Sequence, residues 1–373
     1  MKHQKIAING TYIQEQASGL GVVTQNLIDR LFIEPEFNFA LYSHAKGLKT
    51  QYPERIISVT DAISPDRGFP GHIKRLLWYQ TSLNRQLQSQ ADLFFSPAAE
   101  GMLFPTVPQI ITLHDLIPLK YPEFSPKWKY YYRYVLPMML KSCRKIIAIS
   151  EHTKKDAIEH YQLQPELIEV VYNGCDRHLF YPQPNPEILR KYNLDKYLLY
   201  VGDMRFYKNL HRCLSVFDRL PQDYQFVITG KKDDFFYPEI KRHTDGLSAK
   251  DRIVFLDYVP TADLPSLYSM AQCLVFASLY EGFGLPVLEA MACGCPVIAS
   301  DRTSIPEVGG DSVLYVDPYS VDNIAREMDR ILTDENLRYD LSNKGIERAK
   351  LFTWEKTAEN VARVFNKVLA DRK

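Results

Sequence analysis

Two glutamates bracket the segment Glu281-Gly-Phe-Gly-Leu-Pro-Val-Leu-Glu289, with two glycines and a proline between them. The apolar run Cys273-Leu-Val-Phe-Ala-Ser278 precedes it and reads as a buried strand. Gly282 and Gly284 let the backbone approach a ligand, and Pro286 suits the start of a helix, where its missing N–H leaves nothing unpaired. A strand, a glycine loop and a helix N-terminus make an anion site. Glu281 is expected in the loop and Glu289 in the helix's first turn. Two carboxylates beside an anion site suit a ligand with both phosphate and hydroxyls. A nucleotide-sugar has both.

Arg205 and Lys208 follow a second apolar run, Tyr197-Leu-Leu-Tyr-Val-Gly202. A guanidinium grips phosphate as a fork and an ammonium acts as a point charge. Beside a leaving diphosphate, both stabilise the charge that grows during glycosyl transfer. In isolation the same two residues read as solvated loop cations. His114 closes the run Gln109-Ile-Ile-Thr-Leu-His114, either as a structural histidine at a sheet edge or as a polar group facing a sugar. Gly19 and Gly21 follow the first strand, as turn glycines or as a loop approaching diphosphate or acceptor. No Asp-x-Asp occurs in the chain, so Arg205, Lys208 and helix amides are expected to hold the diphosphate without metal.

The elements that must position these residues alternate strand and helix, which argues for parallel α/β layers. Strands are expected at residues 5–8, 91–96, 109–114 and 145–150, then at 197–202, 224–229, 253–256, 273–278 and 296–300. A helix follows the first glycines to Leu31, and another is capped by Ser150. The 373 residues call for two domains. The proline-rich stretch from Asn173 to Pro186 reads as the linker between them. Open α/β sheets bind ligands outside the carboxyl ends of their strands, so both glycine loops are expected to open onto one interdomain cleft.

Composition excludes several classes. The 45 basic and 45 acidic residues cancel, which gives no general case for nucleic acid. No apolar run approaches membrane-span length, and the N-terminus has no signal-like stretch. Six scattered cysteines read as reduced thiols, which points to the cytoplasm, and Cys293-Gly-Cys295 has no partners for a zinc site. A dinucleotide-binding dehydrogenase needs a third glycine that Gly19-Leu-Gly-Val-Val-Thr24 lacks. Residues 127–145 interleave six lysines and arginines with tyrosines and carry no acid. They read as a core helix with a basic edge, in which Val135, Leu136, Met138, Met139 and Leu140 want burial. The alternative is a peripheral contact with anionic lipid.

At these residues the chain resembles the retaining glycosyltransferases of family 4. The likeness is most specific over Glu281–Glu289, which matches the family's E-x7-E motif, continuing through Ala290-Met-Ala-Cys-Gly-Cys-Pro-Val-Ile-Ala-Ser300 to Ser304-Ile-Pro-Glu-Val308. It implies a GT-B fold: an N-terminal Rossmann-like acceptor domain over residues 1–180, a C-terminal donor domain over 181–354, and a helix at 355–373 returning to the first domain after Phe352-Thr-Trp354. It further implies that Glu281 contacts the transferred sugar, with His114, and that Glu289 binds ribose. Gly282, Phe283, Gly284 and Leu285 then meet sugar and phosphate, as do Gly19 and Gly21, and Arg205 and Lys208 hold the diphosphate. Many members carry the lysine closer to the arginine than it lies here. Tyr258 and Val259 fall where members hold the nucleobase. The family retains configuration by front-face attack, so neither nucleophile nor general base is assigned and no metal is expected. Thr112-Leu-His-Asp-Leu-Ile-Pro-Leu-Lys-Tyr-Pro-Glu-Phe-Ser-Pro126 resembles the bacterial O-antigen mannosyltransferases. This implies GDP-mannose as donor, with UDP-hexoses and dTDP-rhamnose behind it, and a glycan or lipid-linked acceptor. A non-catalytic nucleotide-sugar-binding subunit is the rival class.

Overall fold

The computed structural model describes residues 3–14, 19–44, 48, 50–230, 232 and 235–371. Met1 and Lys2, Ala17 and Ser18 of the expected glycine loop, and Arg372 and Lys373 of the expected last helix lie outside them. The chain forms two compact units, Met1–Gly174 with Trp354–Lys373, and Cys175–Thr353.

The first unit is built on a seven-stranded parallel sheet in the order β3-β2-β1-β4-β5-β6-β7. Its strands are β1 Gln4–Asn9, β2 Phe37–Ser43, β3 Ile56–Ser58, β4 Leu93–Ser96, β5 Gln109–Leu113, β6 Lys145–Ala148 and β7 Ile168–Val170. Leu93, Phe94 and Phe95 are all buried, as are Ile110 and Ile111. Such runs are required where helices cover both faces of a parallel sheet. Each large apolar side chain so buried contributes about 1.5–3 kcal/mol. The Trp354–Ala370 helix belongs to this unit and places Val361, Phe365 and Val368 against Ile6, Leu27 and Phe37. The Glu151–Tyr161 helix starts where Ser150 Oγ accepts from Thr153 N at 3.0 Å, as expected of a cap.

The second unit carries a six-stranded parallel sheet, β10-β9-β8-β11-β12-β13. Its strands are β8 Tyr197–Val201, β9 Gln225–Thr229, β10 Ile253–Leu256, β11 Cys273–Phe276, β12 Val297–Ser300 and β13 Leu314–Val316. Both sheets reverse direction beside their first strand, between β1 and β4 and between β8 and β11. Loops leaving the carboxyl ends there diverge to opposite faces and open a crevice. The β8 exit carries Arg205 and Lys208, and the β11 exit carries Glu281.

At the β8–β9 edge the backbones nearly touch. Gly230 has φ +155°, and a Cβ on it would lie 1.9 Å from the Gly202 carbonyl oxygen. Gly202 itself has φ +151° and donates its N–H to Thr229 O at 3.0 Å. We expect Gly230→Ala to lower stability by about 2–4 kcal/mol in denaturant unfolding. An unchanged midpoint would show that these strand ends do not approach.

Candidate functional site

Glu281 is held from both sides before its side chain makes any contact. Its N–H donates to Thr303 Oγ1 at 3.1 Å, and its carbonyl accepts from Ser304 Oγ at 3.0 Å. Thr303 has φ +59°, a left-handed conformation that a β-branched residue adopts only under constraint. The loop after β12 therefore stores strain where it grips the glutamate backbone.

The Glu281 side chain is 8% exposed and accepts two hydrogen bonds from Lys208 Nζ, at 2.8 and 3.0 Å. Lys208 ends a one-turn 3₁₀ helix, Phe206–Lys208, that starts beside Arg205. That turn folds the extra residues Phe206 and Tyr207 back, so the longer spacing still delivers the ammonium to the glutamate. Leu279 N donates to Tyr207 O at 2.7 Å, tying the β8 and β11 exits together. Burial pulls the Lys208 pKa down, but Glu281 and then Asp203 more than offset it, so the group stays cationic. Burial pushes the Glu281 carboxyl above its usual range, with Lys208 drawing it back. Arg205 pairs with Asp203 Oδ2 at 3.1 Å and keeps 42% of its side chain exposed, so one cation is sequestered and the other faces solvent.

Gly284 has φ +104°, and a Cβ there would sit 2.6 Å from Ile305 Cδ1. Only glycine fits. The Leu285–Ala292 helix starts immediately after it with no side-chain cap, leaving the positive end of its dipole facing the Lys208–Glu281 loop. This places Glu289 in the helix's second turn, not the first as expected, because the helix begins at Leu285. Glu289 therefore gains little from the dipole. Tyr268 Oη donates to its Oε2 at 3.1 Å, and burial raises its pKa to about 7 although the side chain keeps some accessible surface. Tyr258 is 80% exposed just past β10, and Val259 beside it is buried. Lys232 and Asp257 form an ion pair of 3.0 Å at the same edge.

His114 lies in the first unit, at the carboxyl end of β5. Its Nε2 is 2.7 Å from the Pro97 carbonyl oxygen, which can only accept, so that nitrogen carries the proton. Burial lowers the ring's pKa and keeps it neutral. Nδ1 is then an acceptor, matched to a hydroxyl donor. Gly19 and Gly21 open the Gly19–Leu31 helix instead of preceding it in a loop, and a Cβ on Gly19 would meet nothing within 4 Å. Among the sequence-predicted residues, the structure joins Lys208 to Glu281 by direct contact, with Arg205 and the Gly282–Leu285 loop adjoining them in the chain.

Several structural partners escaped the sequence reading. Asp203 sits two residues before Arg205 on the same β8 exit, Tyr268 reaches Glu289 from the Leu264–Met270 helix, and Thr303 and Ser304 hold Glu281 from the loop after β12. In the first unit a buried network ties helix to sheet. Arg75 donates to both Glu100 oxygens at 2.7 Å, Tyr79 Oη donates to Glu100 Oε2 at 2.9 Å, and Asn9 Nδ2 reaches Ser96 Oγ at 3.0 Å. Burial pushes Glu100 up, but Arg75 outweighs it and holds the carboxyl well below the usual range. The network anchors the 97–100 loop that orients His114. Among the described residues, no three His, Cys, Asp or Glu side chains are grouped to hold a metal. A cavity of about 150 Å³ against β1 and β2, with Lys5 and Tyr42 in its lining, includes none of these groups.

Comparison with known proteins defines the family and the fold. The model described as Glycosyltransferase Family 4 matches residues 17–179, and that described as Glycosyl transferases group 1 matches residues 183–348. O-antigen chain mannosyltransferase B of Escherichia coli is 34% identical over 259 residues, covering 66% of this chain and 67% of the relative. O-antigen chain mannosyltransferase RfbU of Salmonella typhimurium is 32% identical over 63% of this chain and 66% of its own length. The serotype-specific mannosyltransferase WbdA of Escherichia coli is 29% identical over 70% of this chain, and only 33% of WbdA is matched. Among solved structures, sucrose-phosphate synthase from Thermosynechococcus elongatus superposes with a TM-score of 0.78 at 20% identity, over 99% of this chain and all of that one. HepE from Anabaena with UDP-glucose gives 0.77 at 16% identity, over 98% and 100%. The fold is GT-B, with two Rossmann-like units. The chain belongs to glycosyltransferase family 4, and its activity is sugar transfer.

Removing one member of a buried ion pair leaves the other uncompensated. Lys208→Met should destabilise by about 3–5 kcal/mol, and adding Glu281→Gln should restore most of the loss. Chemical unfolding of both variants reads this. Additive losses would mean that the two groups do not interact.

Proposed function

We propose that this chain is a retaining, metal-independent mannosyltransferase that takes mannose from GDP-mannose. Its acceptor is a growing glycan or a lipid-linked saccharide, and it works in the cytoplasm at the inner face of the membrane. The observation that carries the reading is the Lys208–Glu281 pair beside the uncapped Leu285–Ala292 helix, at the exits of β8 and β11. Mannose is supported by the two relatives named O-antigen chain mannosyltransferases.

In this reading Arg205 exchanges Asp203 for the donor diphosphate, and Lys208 turns its remaining N–H toward the same group while still holding Glu281. Backbone amides of the Gly282–Leu285 loop and the helix dipole add to that field. As the bond from anomeric carbon to phosphate oxygen lengthens, charge accumulates on the diphosphate, and these groups bind it more tightly than in the ground state. Glu281 accepts from the sugar hydroxyls and Glu289 from the ribose, and in the first unit His114 Nδ1 is an acceptor for a hydroxyl donor. The departing phosphate oxygen takes the acceptor proton on the face it leaves, so configuration is retained without an enzymic nucleophile.

With purified protein in EDTA, GDP-mannose should support transfer and UDP-glucose and dTDP-rhamnose should not. Glu281→Ala should cut turnover by about 10²–10³. Activity restored only by Mg²⁺, or unchanged turnover in the variant, would reject these assignments.

Glu289 adds a pH test. Its pKa is raised to about 7, so the folded protein holds that proton more tightly than the unfolded chain, and fold stability falls as pH rises from the ordinary carboxylate range to about 7. A carboxylate that accepts from ribose must be ionised. Donor affinity should therefore rise by about tenfold between pH 6 and pH 8, a range in which a sugar diphosphate diester does not titrate. Calorimetry on Glu289→Gln should show a flat profile; a slope equal to wild type would remove Glu289 from the ribose site.

A further inference from the structure

We infer that the outward face formed by the Gly68–Trp78 helix and residues 126–141 docks on an anionic lipid bilayer. It gives the proposed membrane location a named surface and rests on that reading for its biological setting, while its physical basis is separate.

Two helices in the first unit have apolar residues on both of their sides. Inward, Tyr131, Leu136, Met139 and Leu140 pack with β5 and β6, and Leu76 joins the same cluster from the neighbouring helix. Outward, Phe69, Ile73 and Leu77 recur every fourth residue on one helix, and Tyr130, Tyr134 and Met138 do so on the other, all between 41% and 60% exposed. Met138 was expected in the core and is instead part of this outer row. Trp128, 41% exposed, joins the rows, with its ring centroid 4.5 Å from that of His72. Lys127 Nζ lies 5.4 Å from the Phe69 ring centroid, so the two helices form one continuous surface. These rows stay half-exposed on helices whose other side already fills the core.

Charge selects the occupant. Residues 67–91 and 124–150 contain ten lysines and arginines and no aspartate or glutamate, in a chain whose 45 basic and 45 acidic residues balance. Of the ten, Arg67 pairs with Asp61, Arg75 is buried against Glu100 and Lys145 pairs with Glu169, while Lys74, Lys127, Arg133 and Lys141 are exposed. A second copy of the face would set like charges against each other. Anionic headgroups match it, with Trp and Tyr at the interfacial depth they favour and lysine stems lying along the apolar rows. The Arg75–Glu100 pair fixes the Gly68–Trp78 helix from beneath, so the surface is preformed.

Flotation of the full-length chain with vesicles tests this without donor or acceptor, so its failure leaves the sugar-transfer reading standing. The wild type should float with phosphatidylglycerol-containing vesicles at low salt and stay behind with phosphatidylcholine alone. Lys127→Glu with Lys129→Glu and Arg133→Glu should lower partitioning by about 100-fold. Leu77→Ser with Tyr134→Ser and Met138→Ser should lower it at least about tenfold. Unchanged thermal midpoints in both variants would show that the fold is kept. A wild type that does not float, floats equally on neutral vesicles, or buries this face in a lipid-free dimer seen by light scattering would overturn the proposal.

Discussion

The second unit is organised around one buried ion pair. A carboxylate and an ammonium removed from water cost several kcal/mol each, and only good geometry with each other recovers it. Lys208 and Glu281 achieve that geometry because β8 and β11 are neighbours at the strand-order reversal, and because a backbone hydrogen bond from Leu279 to Tyr207 joins their exit loops. The strained Thr303, the hydroxyl of Ser304 and the side-chain-free Gly284 all serve to keep that glutamate where the lysine meets it. Placing Lys208 there leaves Arg205 exposed on the same turn. The turn thus carries a buried cation that holds its carboxylate and an outer one that pairs with Asp203.

Much of this was legible in the residues themselves. The buried strands of parallel sheets are continuous apolar runs, so 197–202, 273–278 and 296–300 announced β8, β11 and β12, with ends trimmed by one or two residues. Glycines whose neighbours forbid a side chain also stand out, as Gly284 does. The edge strands β3, β7 and β13 were missed because each has three residues and is partly exposed, too short for periodicity to register. β2 was missed although Phe37, Phe39 and Leu41 alternate in its sequence. Glu289 was placed in the first turn because Pro286 was read as the helix start, and the start one residue earlier at Leu285 moves it into the second.

Long-range partners explain the rest. Nothing near Glu281 in the chain names Thr303, and nothing near Arg75 names Glu100, since a hydrogen bond between loops leaves no local pattern. The same limit applied to the outer surface of the first unit. The basic stretch at 127–145 was visible, but its meaning depended on which tyrosines turned inward and on the Gly68–Trp78 helix beside it. Tyr131 packs inward and Tyr134 outward, a distinction that a helix with an internal π turn blurs in sequence.

The most direct measurement is a crystal structure with an unhydrolysed nucleotide-sugar bound to the full chain. It should place the diphosphate within hydrogen-bond distance of Arg205 Nη and Lys208 Nζ, with sugar hydroxyls donating to Glu281 and the Lys208–Glu281 contact intact. A diphosphate bound elsewhere, with Arg205 still on Asp203, would contradict the account.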